Sequence, residues 1–173
     1  MPSTVYRDPI IAALITLFNA TGPSELKNKY YYGSPIVVPQ IMLPAVFISK
    51  DGTSISEFAM NVEQDDMEFV LTVIYPMRKD FDKMNEAMSG VAAVWEIIEG
   101  RETSGANLYS LKSTALAYII RANTHLASSL EIDLGEETRI EYGIAEDFRG
   151  PGLCTAEGEI RFKVKRLSQK PTA

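Results

Sequence analysis

Apolar residues recur at helical spacing near the start of the chain. Ile10, Ile11, Leu14, Ile15 and Phe18 follow Asp8-Pro9 and precede Gly22-Pro23. An aspartate N-cap, a proline at the first helical position and a Gly-Pro stop predict a helix with one apolar face, suited to packing on a sheet. Short continuous apolar runs come next. Ile36-Val37-Val38 and Pro44–Ile48 predict short strands, with Pro39 and Pro44 placing breaks between them. Residues 24–35, before these strands, predict a polar and aromatic connection. Asp51-Gly52 predicts a hairpin turn, with a partner strand over Ser54–Val62 whose apolar members are Ile55, Phe58 and Met60. A bulge is expected near Ser56-Glu57. Glu63–Asp66 predicts an acidic turn. The β-branched and aromatic run Glu68–Tyr75 predicts a central strand that Pro76 ends.

The second half opens with the longest helix, expected over Asp80–Glu99. Met84, Met88, Val91, Trp95 and Ile98 form its apolar stripe, and Gly100 its C-cap. Residues 101–106 predict a loop. Leu108–Arg121 fits a helix through Leu111, Ala115, Tyr118 and Ile119, or a strand through Tyr118-Ile119-Ile120. Residues 122–138 are polar and acidic and predict a loop-rich stretch. Ile140–Phe148 predicts a strand, Gly150-Pro151-Gly152 a turn, and the run from Leu153 a closing strand. From Glu159 to Lys165 that strand alternates strictly, with Ile160, Phe162 and Val164 on one side and Arg161, Lys163 and Lys165 on the other. The order of elements predicts an α+β fold, a mostly antiparallel β-sheet with two or three α-helices packed on one face. Residues 1–173 are expected to form a single domain, with 168–173 a flexible tail.

Totals narrow the function classes. The 173 residues are 46% hydrophobic and 23% charged, enough for a core that needs no disulfide or metal. Seventeen Lys plus Arg against 23 Asp plus Glu give a net charge of −6, which disfavours nonspecific binding to nucleic acid or to an anionic membrane. One cysteine, Cys154, excludes an internal disulfide. The N-terminal residues lack a secretory pattern, so maturation in a reducing cytoplasm is the expectation. The apolar runs fall far short of the ~18 residues that read as a membrane span.

No catalytic, cofactor-binding or metal site is expected from the residues. A zinc centre needs several His or Cys ligands, and the chain has one of each, His125 and Cys154. A Cys–His nucleophile pair would need these two to meet in space, and neither has a local signature. Gly150-Pro151-Gly152 lacks the third glycine of a dinucleotide loop, and no helix follows it. The acidic clusters around Glu63–Glu68 and Glu131–Glu137 lack the ligand offsets of a calcium loop and fit solvated turns better.

Interface candidates remain. Lys27 and Lys29 lead into Tyr30-Tyr31-Tyr32, and three consecutive tyrosines cannot all face a core, so partner contact is expected there. The stripe Arg161, Lys163 and Lys165 reads in two ways. It is either an ordinary wet strand face or a docking surface for acidic residues between Glu131 and Asp147, including Glu136 and Glu137, on a neighbouring copy.

The layout and four local strings resemble the tail-terminator or tail-completion (minor tail) proteins of long-tailed bacteriophages. The strings are the helix opening Asp8-Pro9-Ile10-Ile11, the strand Leu43–Ile48 leading to Asp51-Gly52, the strand Phe69–Tyr75 followed by Arg78, Asp80 and a helix ending Trp95-Glu96-Ile97-Ile98, and the closing run Ala156–Val164. The resemblance implies a non-enzymatic virion protein that forms a ring, usually a hexamer. Such a ring ends the tail tube and presents a surface to the head connector, or neck, protein. DNA passes through without specific binding, no membrane or cofactor is involved, and the protein resides in the virion tail after assembly in the host cytoplasm. The rival expectation is a cytoplasmic, non-enzymatic protein-binding adaptor. A small enzyme using Cys154 or scattered carboxylates is a third.

Overall fold

A computed structural model describes residues 8–77, 84–127, 130–133, 138–146 and 148–169, with backbone alone over 84–89. The fold is α+β, as the order of elements predicts. Among the described residues three α-helices, α1 (Pro9–Thr21), α2 (Met84–Glu99) and α3 (Leu116–Ala122), accompany seven strands. These are β1 (Tyr30–Tyr32), β2 (Ala45–Ala59), β3 (Val62–Met77), β4 (His125–Ala127), β5 (Leu130–Asp133), β6 (Arg139–Glu146) and β7 (Cys154–Gln169). They form one sheet in the order β1-β2-β3-β7-β5-β4, with β6 also paired to β7. All pairings are antiparallel except β1 with β2. Strand β7 organises the sheet. One of its edges pairs with β3 from Cys154 to Gln169, while the other is shared by β6, over Cys154–Arg161, and β5, over Lys163–Arg166.

The two faces of the sheet differ because side chains alternate along each strand. Val46 and Ile48 of β2, Met67, Phe69 and Leu71 of β3, and Ile160, Phe162 and Val164 of β7 point to one side. There they meet Ile10, Leu14 and Phe18 of α1, Val94, Ile97 and Ile98 of α2, and Ile119 and Ile120 of α3. The opposite face is covered only in part. Val38 and Leu43, from the connection before β2, pack with Ala45, Phe47, Ile74 and Leu153.

Local chemistry explains the elements. The Asp8 carboxylate accepts the Ile10 N–H at 2.9 Å and so caps α1, and the Gly22 N–H closes the helix on the Phe18 carbonyl at 2.8 Å. Gly158 lets α2 approach β7. A Cβ there would sit 2.8 Å from Val94 Cγ1, closer than packed carbons tolerate.

Several expectations are corrected. Asp51-Gly52 is not a turn. The ladder slips between Lys50 and Gly52, so the extra residue is absorbed as a bulge and β2 continues to Ala59. The hairpin turns instead at Met60-Asn61, where Asn61 adopts a φ of 65°, a conformation asparagine tolerates better than most residues. The expected partner strand Ser54–Val62 is therefore mostly the outer half of β2. Glu63–Asp66 is not a turn either. It opens β3, where Asp65 stands opposite Arg166 and Asp66 opposite Lys165, so cross-strand cations offset the acids. Ile36-Val37-Val38 forms no strand, and Tyr30–Tyr32, expected in a connection, forms β1. Residues 122–138 hold β4 and β5. Ser168 and Gln169 are paired with Glu63 and Val62 rather than loose, and Lys170–Ala173 lie outside the described residues. Leu108–Arg121 resolves into a loop followed by α3. Along α2 the inward face carries Val94, Ile97 and Ile98, while Trp95 is 51% exposed. The expected stripe is thus rotated, and the side chains of Met84 and Met88 lie outside the described residues, as do Asp80 and Arg78.

Candidate assembly surface

The tyrosine run splits by strand alternation. Tyr30 is buried against Phe18, their rings 5.6 Å apart, and its hydroxyl has no hydrogen-bond partner among the described residues. Burial pushes that phenol well above its usual range. Tyr31 turns to the other face and stacks on Phe47 at 5.5 Å. Tyr32 is 53% exposed and is the one tyrosine of the three offered outward. Lys27 is exposed and Lys29 half-buried just before the strand.

The basic stripe lies on the outer face of β7, in the interior of the sheet rather than at an edge. Arg161 Nη1 donates to Asp51 Oδ2 at 2.9 Å, and its Nη2 lies 3.3 Å from Glu159 Oε2. Asp51 reaches this position because the bulge lifts it out of the ladder. Lys165 Nζ is 2.8 Å from Asp133 Oδ2. Lys163 stands between Glu68 of β3 and Asp133 of β5 in the register. Carboxylates of β2, β3, β5 and β7 itself therefore answer Arg161 and Lys165. Glu136 and Glu137 lie outside the described residues, and Asp147 with them.

Cys154 and His125 are held apart. Cys154 is fully buried at the start of β7. His125 is exposed on β4, 3.4 Å from Glu131, which pairs with Lys165 near the other end of β7. At ~3.3 Å per strand residue the two ends are separated by roughly 36 Å.

The most buried cation among the described residues, Arg149, carried no sign of its role in the sequence. Arg149 is 8% exposed and grips Glu157 with two parallel bonds, Nε to Oε1 and Nη2 to Oε2, each 2.8 Å. Its Nη1 donates to the Pro35 carbonyl at 2.6 Å, and its own carbonyl accepts the Val38 N–H at 3.0 Å. The Glu157 bond holds the guanidinium protonated above its ordinary range, although burial opposes this. The arrangement staples the 33–44 connection to β7 and leaves Ile36, Val37 and Ile41 exposed beyond it. A lone Arg between Phe148 and Gly150 carries no periodic signal that could announce this role.

Among the described residues both margins of the sheet are open. On one margin β1 covers β2 only from Val46 to Ile48, and beyond Ile48 the outer side of β2 has no partner strand among the described residues. That arm carries Ile55, Phe58 and Met60, which are 66%, 62% and 83% exposed. On the opposite margin β6 pairs, among the described residues, with β7 alone. Ile144 and Tyr142 are exposed there, and the Trp95 ring meets Tyr142 edge-on at 6.0 Å. The Tyr142 hydroxyl donates to Glu99 at 2.6 Å. Long, uncovered edges flanked by apolar side chains are unusual in isolated chains, which blunt such edges against pairing. Ile55, Phe58 and Trp95 read in sequence as inward-facing residues. For Ile55 and Phe58 the missing signal was the reach of β2, whose outer half is exposed along its length.

No family model matches the chain, and no curated protein matches it.

Proposed function

We propose that this protein is a structural part of a bacteriophage virion, forming a ring that ends the tail tube and joins it to the head connector. One observation carries the reading: two open sheet margins on opposite sides of one subunit, each bordered by exposed apolar side chains. Two different sticky margins favour head-to-tail contact, and repeated head-to-tail contact closes into a ring when the rotation per subunit allows. The resemblance in element order to tail-terminator proteins supports the same reading and suggests a hexamer. The net charge of −6 suits a channel through which DNA slides, since few phosphates would be neutralised. The partners in this reading are other copies of the chain, the tail-tube protein and the connector protein. The internally paired stripe of Arg161 and Lys165 acts within the sheet, so the margins rather than the stripe hold neighbouring copies.

Light scattering coupled to size exclusion, followed by negative-stain imaging alone and on purified tail tubes, tests the reading. Closed rings, free or seated at tube ends, are expected. A strictly monomeric protein that leaves tubes undecorated overturns it. The adaptor reading is favoured by Ile36, Val37 and Ile41, an exposed apolar loop that one partner could cover without any ring. It predicts a monomer forming a one-to-one complex that substitutions in this loop abolish.

A further inference from the structure

We infer that the cleft between α3 and the loop at residues 101–113 binds a small phosphate ester. The cleft has a volume of about 630 Å³, within the range of small-molecule sites. Its loop is closed by backbone bonds. Glu102 N–H donates to Ser110 O, Tyr109 N–H to Glu102 O, and Lys112 N–H to Gly100 O, at 2.9, 2.9 and 2.7 Å. The wall is thus built before any ligand arrives. From α3, Tyr118 and Arg121 project three residues apart on one helical face. Arg101 enters from the loop, held by its bond to the Tyr109 carbonyl at 2.9 Å and by Glu99 at 3.8 Å.

The chemistry of the lining selects the ligand. Arg121 has no ion-pair partner among the described residues, and Arg101 faces the same space. Two guanidiniums are a recognised recipe for holding a phosphate through paired N–H donors. Ser113 and the Tyr118 hydroxyl add further donors at the wall. Glu102 is the one acidic side chain of the lining. It would repel a bare polyanion but can accept hydrogen bonds from hydroxyls, so it favours a phosphate carried on a hydroxylated body. The Tyr118 ring, 40% exposed, gives such a body a flat apolar surface. A mononucleotide or a sugar phosphate has these parts in one molecule. None of the lining residues belongs to β2 or β6, and the inference does not depend on the ring.

Calorimetric titration of the full chain at low salt tests it, with adenosine monophosphate, inorganic phosphate and adenosine as probes. Saturable binding of the monophosphate at one per chain is expected, with weaker binding of phosphate and none of adenosine. Arg121→Gln should weaken the monophosphate by about tenfold or more, as loss of charge-assisted bonds does. Lys50→Gln, at an exposed cation outside the lining, should leave it unchanged. Arg121 is exposed, so thermal melting of the variant should match the parent and separate lost binding from lost folding. Absence of saturable monophosphate binding overturns the inference. So does equal binding by Arg121→Gln, or adenosine binding as tightly as its phosphate.

Discussion

Replacing Arg149 by Met should destabilise the protein more than removal of any other cation among the described residues. The side chains of Arg149 and Glu157 are 9% and 15% exposed, so neither charge is well solvated. Methionine keeps much of the aliphatic volume and deletes the guanidinium. The Glu157 carboxylate then retains the Thr155 hydroxyl at 2.9 Å, and the Pro35 carbonyl loses its 2.6 Å donor. Breaking a buried pair from one side typically costs ~3–5 kcal/mol, because it leaves an uncompensated charge. The residual exposure of Glu157 lets some water reach it, so about 3 kcal/mol is the expected loss. For a chain of this length ~2–4 °C per kcal/mol converts this to a fall in Tm of roughly 6–12 °C. Urea denaturation followed by far-ultraviolet circular dichroism measures it. Arg149→Met with Glu157→Met should recover most of the loss, since no orphan charge remains. A double-mutant cycle with coupling near zero, or a single-variant loss below about 1 kcal/mol, refutes the reasoning. Hydrogen exchange should also show the 33–44 connection loosening before the helix-side core.

Tyr30→Phe removes a buried hydroxyl that has no partner among the described residues, and should be neutral or stabilising by up to about 1 kcal/mol in urea melts. Burial also holds this phenol protonated in the native state above its unfolded pKa of ~10, so its contribution is complete below that pH and declines as pH rises past it. The variant should therefore show a flatter alkaline loss of stability than the parent, and equal slopes would show that Tyr30 does not drive it. Gly158→Ala places a Cβ 2.8 Å from Val94 Cγ1 and should cost about 1–3 kcal/mol by the same melts, while a neutral outcome would mean that α2 shifts freely. Phe58→Lys and Ile144→Lys, one on each open margin, should leave monomer stability within about 0.5 kcal/mol and abolish higher assembly in light scattering. Rings that persist in both variants would place the subunit contact elsewhere.

Periodicity located the elements that have a covered face. Helix α1 shows its cap, its stripe and its stop in consecutive residues, and the alternation of β7 from Glu159 to Lys165 matches its burial residue by residue. Strand ends were harder to read, because Asp51-Gly52 has the composition of a turn and serves as a bulge. The choice between those outcomes rests on whether β3 can keep pairing beyond it. It can, since the acids of Glu63–Asp66 find Lys165 and Arg166 across the ladder. Such pairing is nonlocal, and a local reading of Glu63–Asp66 sees only like charges. Strands β4 and β5 were hidden for a related reason. They are short, and β5 is fixed by long-range pairing to β7.

The same nonlocality changes what charge means on this surface. In sequence, Arg161, Lys163 and Lys165 form a cationic row in an acidic chain, which invites an external partner. In the fold that row runs down a central strand, and the bulge at Asp51, the end of β5 at Asp133 and the acids of β3 bring opposite charges to it. A cation already held at 2.8–2.9 Å by its own chain gives up that contact on binding another, so its net contribution to docking is small. Apolar side chains on an open strand edge carry no such offset. Ile55, Phe58 and Ile144 gain by burial whatever they lose to water, at about 25 cal/mol per Å² of apolar surface covered. Backbone groups along the outer half of β2 and along β6 add direction, because a new strand can join only in register with them. In the proposed ring the contacts between copies therefore fall on the two margins of the sheet, and internal ion pairs keep the broad face between them from competing for the same partner.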